Sequence, residues 1–160
     1  MKKVKTNAMR ILDQYNIFYH THEFKIGKNH LDGHQVAKLI QKPENQVFKT
    51  LIFMNNKSEY FVFVIPVVEH LDIKKASKAV GQKKIELLPL EQLTKVTGYV
   101  RGGCSPIGMK KSFQTVIDLS AESLSSIIIS AGKRGYQIEL NPHDLDKVLN
   151  VSFDNIVKDN

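Results

Sequence analysis

A chain of 160 residues with 42% hydrophobic content is enough for one compact domain, and its single cysteine, Cys104, excludes an internal disulfide framework or a multi-cysteine zinc site. Lysine and arginine outnumber aspartate and glutamate 23 to 16, a formal charge of +7, which favours a polyanionic partner but describes a merely soluble basic surface equally well. The opening Met1-Lys2-Lys3-Val4-Lys5-Thr6 leads into an amphipathic segment and no apolar run approaches about 18 residues, so no leader peptide or membrane span is expected and the cytoplasm is the expected compartment.

Thr6 is placed to cap a first helix with apolar Met9, Leu12 and Tyr15 at helical spacing, and Ile17-Phe18-Tyr19-His20 reads as a strand. Residues 23 to 31 have no period. Asp32 offers an N-cap for a short helix bearing Val36, Leu39 and Ile40, ended near Pro43. Val47 to Met54 and Tyr60 to Ile65 read as a hairpin, with Asn55, Asn56 and Lys57 in its loop. Asp72 caps a helix from Ile73 to Val80, closed by Gly81; Thr115–Leu119, Ile127–Ser130 and Tyr136–Leu140 read as strands. Asn141-Pro142 opens a last helix carrying Leu145, Val148 and Leu149. With no repeat or linker, this pattern predicts a single α+β domain over residues 1–160, with a mixed sheet flanked by helices.

Three stretches combine glycine with basic or hydroxyl residues: Phe48-Lys49-Thr50, Gly98 to Lys111, and Ser130-Ala131-Gly132-Lys133-Arg134-Gly135. Gly102-Gly103 allows close backbone approach to a ligand, whose developing oxyanion exposed N–H groups can hold; a tight turn needs the same residues. Lys49 interrupts an apolar strand and points either to solvent or to a partner inside. Cys104 has no histidine near it in sequence and reads as an inert, partly buried thiol. His20, His22, His30 and His34 fall within fifteen positions, but neither the HxH nor the HxxxH spacing completes a metal site, and packing or surface roles are favoured. The P-loop and GxGxxG patterns are absent. Basic doublets at Lys74-Lys75, Lys83-Lys84, Lys110-Lys111 and Lys133-Arg134 suit a phosphate backbone or simply solvated turns.

Val47-Phe48-Lys49-Thr50-Leu51, Gly98-Tyr99-Val100-Arg101-Gly102-Gly103-Cys104-Ser105-Pro106-Ile107-Gly108 and Ser130 to Gly135, in that order, resemble the YbaK/EbsC family. That family is related to the insertion (editing) domain of prolyl-tRNA synthetase. The resemblance spans nearly the whole chain and implies a mixed, mostly antiparallel sheet or partly closed barrel flanked by helices. It implies deacylation of mischarged aminoacyl-tRNA, with cysteinyl-tRNA(Pro) the first choice, and no cofactor or metal.

By position the resemblance makes Lys49 the essential lysine, Thr50 its pocket neighbour and Gly102 the residue whose N–H faces the ester carbonyl. Gly103, Ser130 and Gly132 fall on the ligand loops, while Lys110, Lys111, Lys133 and Arg134 are assigned to tRNA. Two substrate-pocket positions depart from the cysteine-specific members: His22 stands where they have tyrosine, and Gln137 where they have aspartate. An amide recognises an ammonium group differently from a carboxylate, so the amino acid removed is the less determined part. In the cysteine-specific relatives the substrate's thiol attacks its own ester, a lyase-type cleavage that forms a thiolactone. The alternatives are a water-mediated hydrolase of alanyl-tRNA(Pro) and a non-catalytic tRNA- or synthetase-binding protein. A transient complex with prolyl-tRNA synthetase is the expected partnership.

Overall fold

Thr6 starts the first helix as its residue type predicts, its hydroxyl oxygen accepting from the Met9 amide at 3.2 Å. The computed structural model describes residues 4–159, so Met1 to Lys3 of the polar start lie outside the described residues. Helix α1 (Asn7–Gln14) buries Ala8, Met9 and Leu12. Tyr15, expected on that face, is instead the C-cap and is 52% exposed, because Asn16 at φ 57° turns the chain away. The first strand is also displaced from its expected place: Ile17 is buried, Phe18 is 73% exposed, and β1 is the polar stretch His20–Glu23. Backbone pairing with a later strand outweighs the β propensity of Ile17-Phe18-Tyr19.

Asp32 caps α2 (Gly33–Leu39) in a capping box with Gln35, burying Val36 and Ala37, while Leu39, read as apolar-facing, is exposed. The hairpin is β2 (Phe48–Met54) with β3 (Tyr60–Pro66). Helix α3 (Ile73–Ala79) is capped by Asp72 and followed by Gly81 at φ 69°. The strand β4 (Glu86–Leu87) and helix α4 (Leu93–Thr97) were not foreseen. Next come β5 (Gln114–Asp118), β6 (Ile127–Ser130), β7 (Tyr136–Leu140) and an unforeseen β8 (Val151–Asp154). The last helix is one of 3-10 type, Pro142–Lys147, rather than α: the Asn141 side chain accepts from His143 N at 3.0 Å and tightens the first turn.

In place of one sheet there are two, ordered β4-β2-β3-β5-β8 and β1-β7-β6, which do not close into a barrel. The β3–β5 and β5–β8 ladders are parallel and the rest antiparallel, so the mixed, mostly antiparallel α+β architecture holds. Strand alternation divides the core. Even-numbered Phe48 and Ile52 of β2 pack with Val62, Val64 and Ile129 beneath α1, whereas Phe53, Phe63 and Ile65 pack under α3. A third cluster of Ala37, Val47, Val67 and Ile128 sits under α2.

One junction positions the site. Val67 N–H donates to Val47 O at 2.9 Å, so the backbone groups of odd-numbered β2 residues face β3 and those of even-numbered residues face the opposite edge. On that edge Ile52 O accepts from Leu88 N at 2.9 Å, and a parallel bridge joins Val47 to Ile128 of β6. Thr50 lies between these two attachments, where β2 and β6 separate.

Candidate active site

The gap opens into a cleft of about 490 Å³ that brings together Lys49, Thr50, Gly102, Ser130 and Gln137. Lys49 is half-buried on the α3 side of β2, and burial pulls its ammonium below its ordinary value. None of the salt bridges among the described residues includes it. The next residue faces the other way: Thr50 Oγ1 is buried and, alone among such side-chain atoms of the described residues, lacks a hydrogen-bond partner. Leaving a hydroxyl so costs about 1–3 kcal/mol, a sign that a ligand supplies the missing partner.

Gly102 sits at φ 84°, a left-handed conformation that a side chain would strain. Its N–H has no acceptor among the described residues, whereas Gly103 N–H donates back to Val100 O at 3.0 Å and holds the turn. A Cβ on Gly102 would stand 3.5 Å from Arg134 Nε and 3.6 Å from His30 Nδ1, so both side chains lie over this turn. The turn is anchored by Tyr99, whose hydroxyl donates to Ile107 O and whose ring would meet a Cβ on Gly132 at 2.9 Å. Gly132 thus joins two loops and does not line the cleft, and Gly103 is buried behind Gly102.

Ser130 and Gln137 are register partners on β6 and β7, and Gln137 is paired in turn with His22 on β1, so the three share one sheet face. Gln137 is buried and lines the cleft, but His22 lies one strand beyond it. There His22 Nε2 is 2.7 Å from Glu139 Oε1, which Lys42 Nζ approaches at 3.4 Å. Ser126 Oγ and Gln46 Nε2 donate to the other carboxylate oxygen at 2.7 and 3.1 Å. Burial alone would raise the Glu139 carboxyl, but the bonds from Ser126 and His22 and the Lys42 charge outweigh it and hold the group at about 2.

Cys104 borders the cleft, yet burial pushes its thiol up to about 12 with only slight relief from Thr97, so it is protonated at neutral pH. Among the described residues no three histidine, cysteine, aspartate or glutamate side chains converge as metal ligands. Of the residues assigned to tRNA, Lys110 donates to Lys95 O at 3.2 Å, Lys111 is exposed, and Lys133 lies over the Tyr136 ring. The Arg134 side chain lies over Gly102, and the Lys133 backbone packs against Gly103. Sequence reasoning assigned none of His30, His70 and Arg101 to the substrate site, yet all three line the cleft; His30 was weighed only as one of four clustered histidines and Arg101 only as part of the glycine-rich stretch. No helix among the described residues is long and apolar enough to cross a membrane.

Comparison with known proteins shows the family and the fold. The chain is 47% identical over 149 residues to the "Putative Cys-tRNA(Pro)/Cys-tRNA(Cys) deacylase EbsC" of Enterococcus faecalis, covering 93% of this chain and 91% of that one. A proline–tRNA ligase of Trichlorobacter lovleyi is 22% identical over 99 residues, 62% of this chain and 17% of the ligase. Among solved structures, "a putative trans-editing enzyme for prolyl tRNA synthetase" superposes with a TM-score of 0.81 at 17% identity, covering 98% of this chain and all of that one, and so shares the fold. The family model described as "Aminoacyl-tRNA editing domain" matches residues 31–148, a span holding Lys49, Gly102, Ser130 and Gln137, and the chain belongs to that family.

Proposed function

We propose that this protein deacylates mischarged cysteinyl-tRNA(Pro), with cysteinyl-tRNA(Cys) as a further substrate, by letting the substrate's own thiol cleave its ester. The observation that carries this reading is what the cleft contains and what it lacks. It presents the unpaired ammonium of Lys49 and a Gly102 N–H without an acceptor, but its cysteine is held protonated. Such a site suits a reaction in which the substrate brings the nucleophile. The name carried by the Enterococcus faecalis relative and the editing-domain match support the same substrate class.

In the reaction the cysteinyl sulfur bonds to the ester carbonyl carbon, giving a tetrahedral intermediate. The bond from that carbon to the ribose oxygen then breaks, the thiol proton ends on the released ribose hydroxyl, and a thiolactone leaves. Gly102 N–H holds the oxyanion while Lys49 anchors the substrate; Thr50 Oγ1, Ser130 and Gln137 orient its polar groups. Holding the thiol against its own carbonyl supplies much of the rate, since intramolecular orientation is worth up to about 7–11 kcal/mol. Lys110, Lys111, Lys133 and Arg134 flank the acceptor end of the tRNA, and a transient complex with prolyl-tRNA synthetase in the cytoplasm adds tRNA selectivity.

The test is ester loss from cysteinyl-, alanyl- and prolyl-tRNA(Pro) with wild-type protein and Lys49→Ala. Selective, Lys49-dependent loss of the cysteinyl ester with thiolactone product is expected. Loss of the alanyl ester would transfer the attack to water and make the protein a hydrolase. No loss from any ester would leave a tRNA-binding protein in place of an enzyme.

A further inference from the structure

The cleft has a basic mouth of which the reading above uses only Arg134. His30 borders both the main cleft and a small recess beside it, lined also by Phe24, Ile26, Gly102 and Arg134. Arg101 borders the cleft from the turn itself. Arg134 Nε and His30 Nδ1 come within 3.5 and 3.6 Å of one point beside Gly102. None of the three takes part in a salt bridge among the described residues. The one carboxylate that acts on His30 is Asp32, and its oxygen already accepts the Gln35 amide at 2.9 Å as the cap of α2.

Two guanidinium groups and an imidazole held together with one carboxylate, itself engaged as a helix cap, keep an excess of positive charge, and the arrangement becomes favourable when an anion enters among them. Guanidinium forks match the paired oxygens of a phosphate, and an imidazole adds a third donor. We propose that His30, Arg101 and Arg134 form one site for a phosphodiester group, seated over Gly102 at the mouth of the cleft. The site rests on the editing reading only for the polymer it serves: with the aminoacyl ester at Gly102, the nearest phosphate of the acceptor end is one sugar away. It makes His30 a binding residue and separates phosphate recognition at the mouth from the work of Lys49 within.

The geometry also sets a pH dependence. Partial burial, followed by Arg101 and Arg134, holds the His30 imidazole below its ordinary value, with Asp32 opposing. A bound phosphodiester reverses that field. Because a phosphodiester keeps its single charge from pH 5 to 8, any change in its affinity over that range reports the protein, and binding strengthens as pH falls and His30 gains its proton.

The experiment is an NMR titration of the His30 ring in the wild-type protein with and without a CpCpA trinucleotide, with adenosine and inorganic phosphate as comparison ligands. The trinucleotide is expected to raise the His30 midpoint by about one unit, equivalent to binding about tenfold tighter below both midpoints than above them. Adenosine is expected to leave it unmoved. Arg134→Gln and the more exposed Arg101→Gln are each expected to weaken the trinucleotide about 5- to 30-fold and adenosine not at all. A midpoint that saturating trinucleotide does not move overturns the proposal. So does a midpoint moved by inorganic phosphate but not by trinucleotide, which would make this a free-anion site. If the trinucleotide moves His30 but no aminoacyl ester is cleaved, the phosphodiester site stands and the deacylase reading falls; cleavage with an unmoved His30 removes this inference alone.

Discussion

Thr50→Val replaces a buried, unpartnered hydroxyl with a methyl of the same shape, and the structure predicts opposite effects on stability and on turnover. The hydroxyl oxygen is shut off from water and has no partner, so the folded protein carries a desolvation cost of about 1–3 kcal/mol that the valine removes. β2 is a strand, where a β-branched residue fits, so the substitution adds no propensity penalty. The expected result is a gain of about 1 kcal/mol in urea unfolding at pH 7, with an unchanged denaturant slope. On the proposed reading the same hydroxyl bonds a polar group of the substrate, and losing that bond is expected to lower kcat/KM for cysteinyl-tRNA(Pro) about 5- to 100-fold. Stability and deacylation are measured on one preparation. A variant that is less stable than the parent and cleaves the ester at the parental rate would refute the reasoning, because Thr50 would then have a partner inside the protein and none in the substrate.

Lys49→Met removes the half-buried ammonium but keeps its length, and is expected to raise unfolding stability by roughly 1 kcal/mol while abolishing most deacylation; loss of stability on thermal or urea unfolding would show that the charge has a hidden partner. Cys104→Ala is expected to keep turnover within about twofold, since a thiol held at about 12 supplies no nucleophile, and to lose about 1 kcal/mol because Cys104 packs against the main core. Complete loss of turnover in a folded Cys104→Ala protein would restore the thiol as attacking group. Glu139→Gln is expected to destabilise at neutral pH. A carboxylate held near 2, against an ordinary 4.5, contributes up to about 3 kcal/mol that is complete above pH 4.5 and is lost as pH falls toward 2. Unfolding curves at pH 7 and pH 3 should therefore show a wild-type advantage that shrinks in acid; an advantage constant with pH would contradict the assignment of the charge network.

The caps and the hairpin were legible because their signals are local. Asp32 with Gln35 three residues on is a capping box that can be read off the chain, and the alternation of Phe48 to Met54 fixes a strand. Alternation left open which face Lys49 takes; its half-buried place in the cleft depends on segments distant in sequence. The division into two sheets depends on a bridge between Val47 and Ile128, residues far apart in sequence that no local pattern couples. β4 has two residues, too short for a period to be read. Within the candidate site, family resemblance brought Lys49, Thr50, Gly102, Ser130 and Gln137 forward, and the fold gathers them in one cleft. His22, assigned to the substrate pocket, shares a sheet face with Gln137 but lies one strand too far out to line the cleft, and its attachment to Glu139 needs the β1–β7 register to be seen.

The cleft exists because one strand edge is offered to two partners that cannot both extend along it. β4 ends its pairing with β2 at Phe53 and Met54, and β6 meets the same edge only at Val47. For β6 to continue beside β2, the chain after Ser130 would have to stay extended. It turns at Gly132 instead, at φ 96°, because the Tyr99 ring occupies the space a side chain would need there. The same tyrosine is bonded to Ile107 and packs near Gly108, so it fixes the Gly102 turn opposite the gap. One aromatic side chain therefore packs against both glycine loops that border the opening. The unpartnered hydroxyl on Thr50 and the unpaired ammonium on Lys49 lie on β2 between its pairing with β4 and its bridge to β6. A buried hydroxyl without a partner, next to a half-buried ammonium in no salt bridge among the described residues, is what a site shaped for a polar substrate offers.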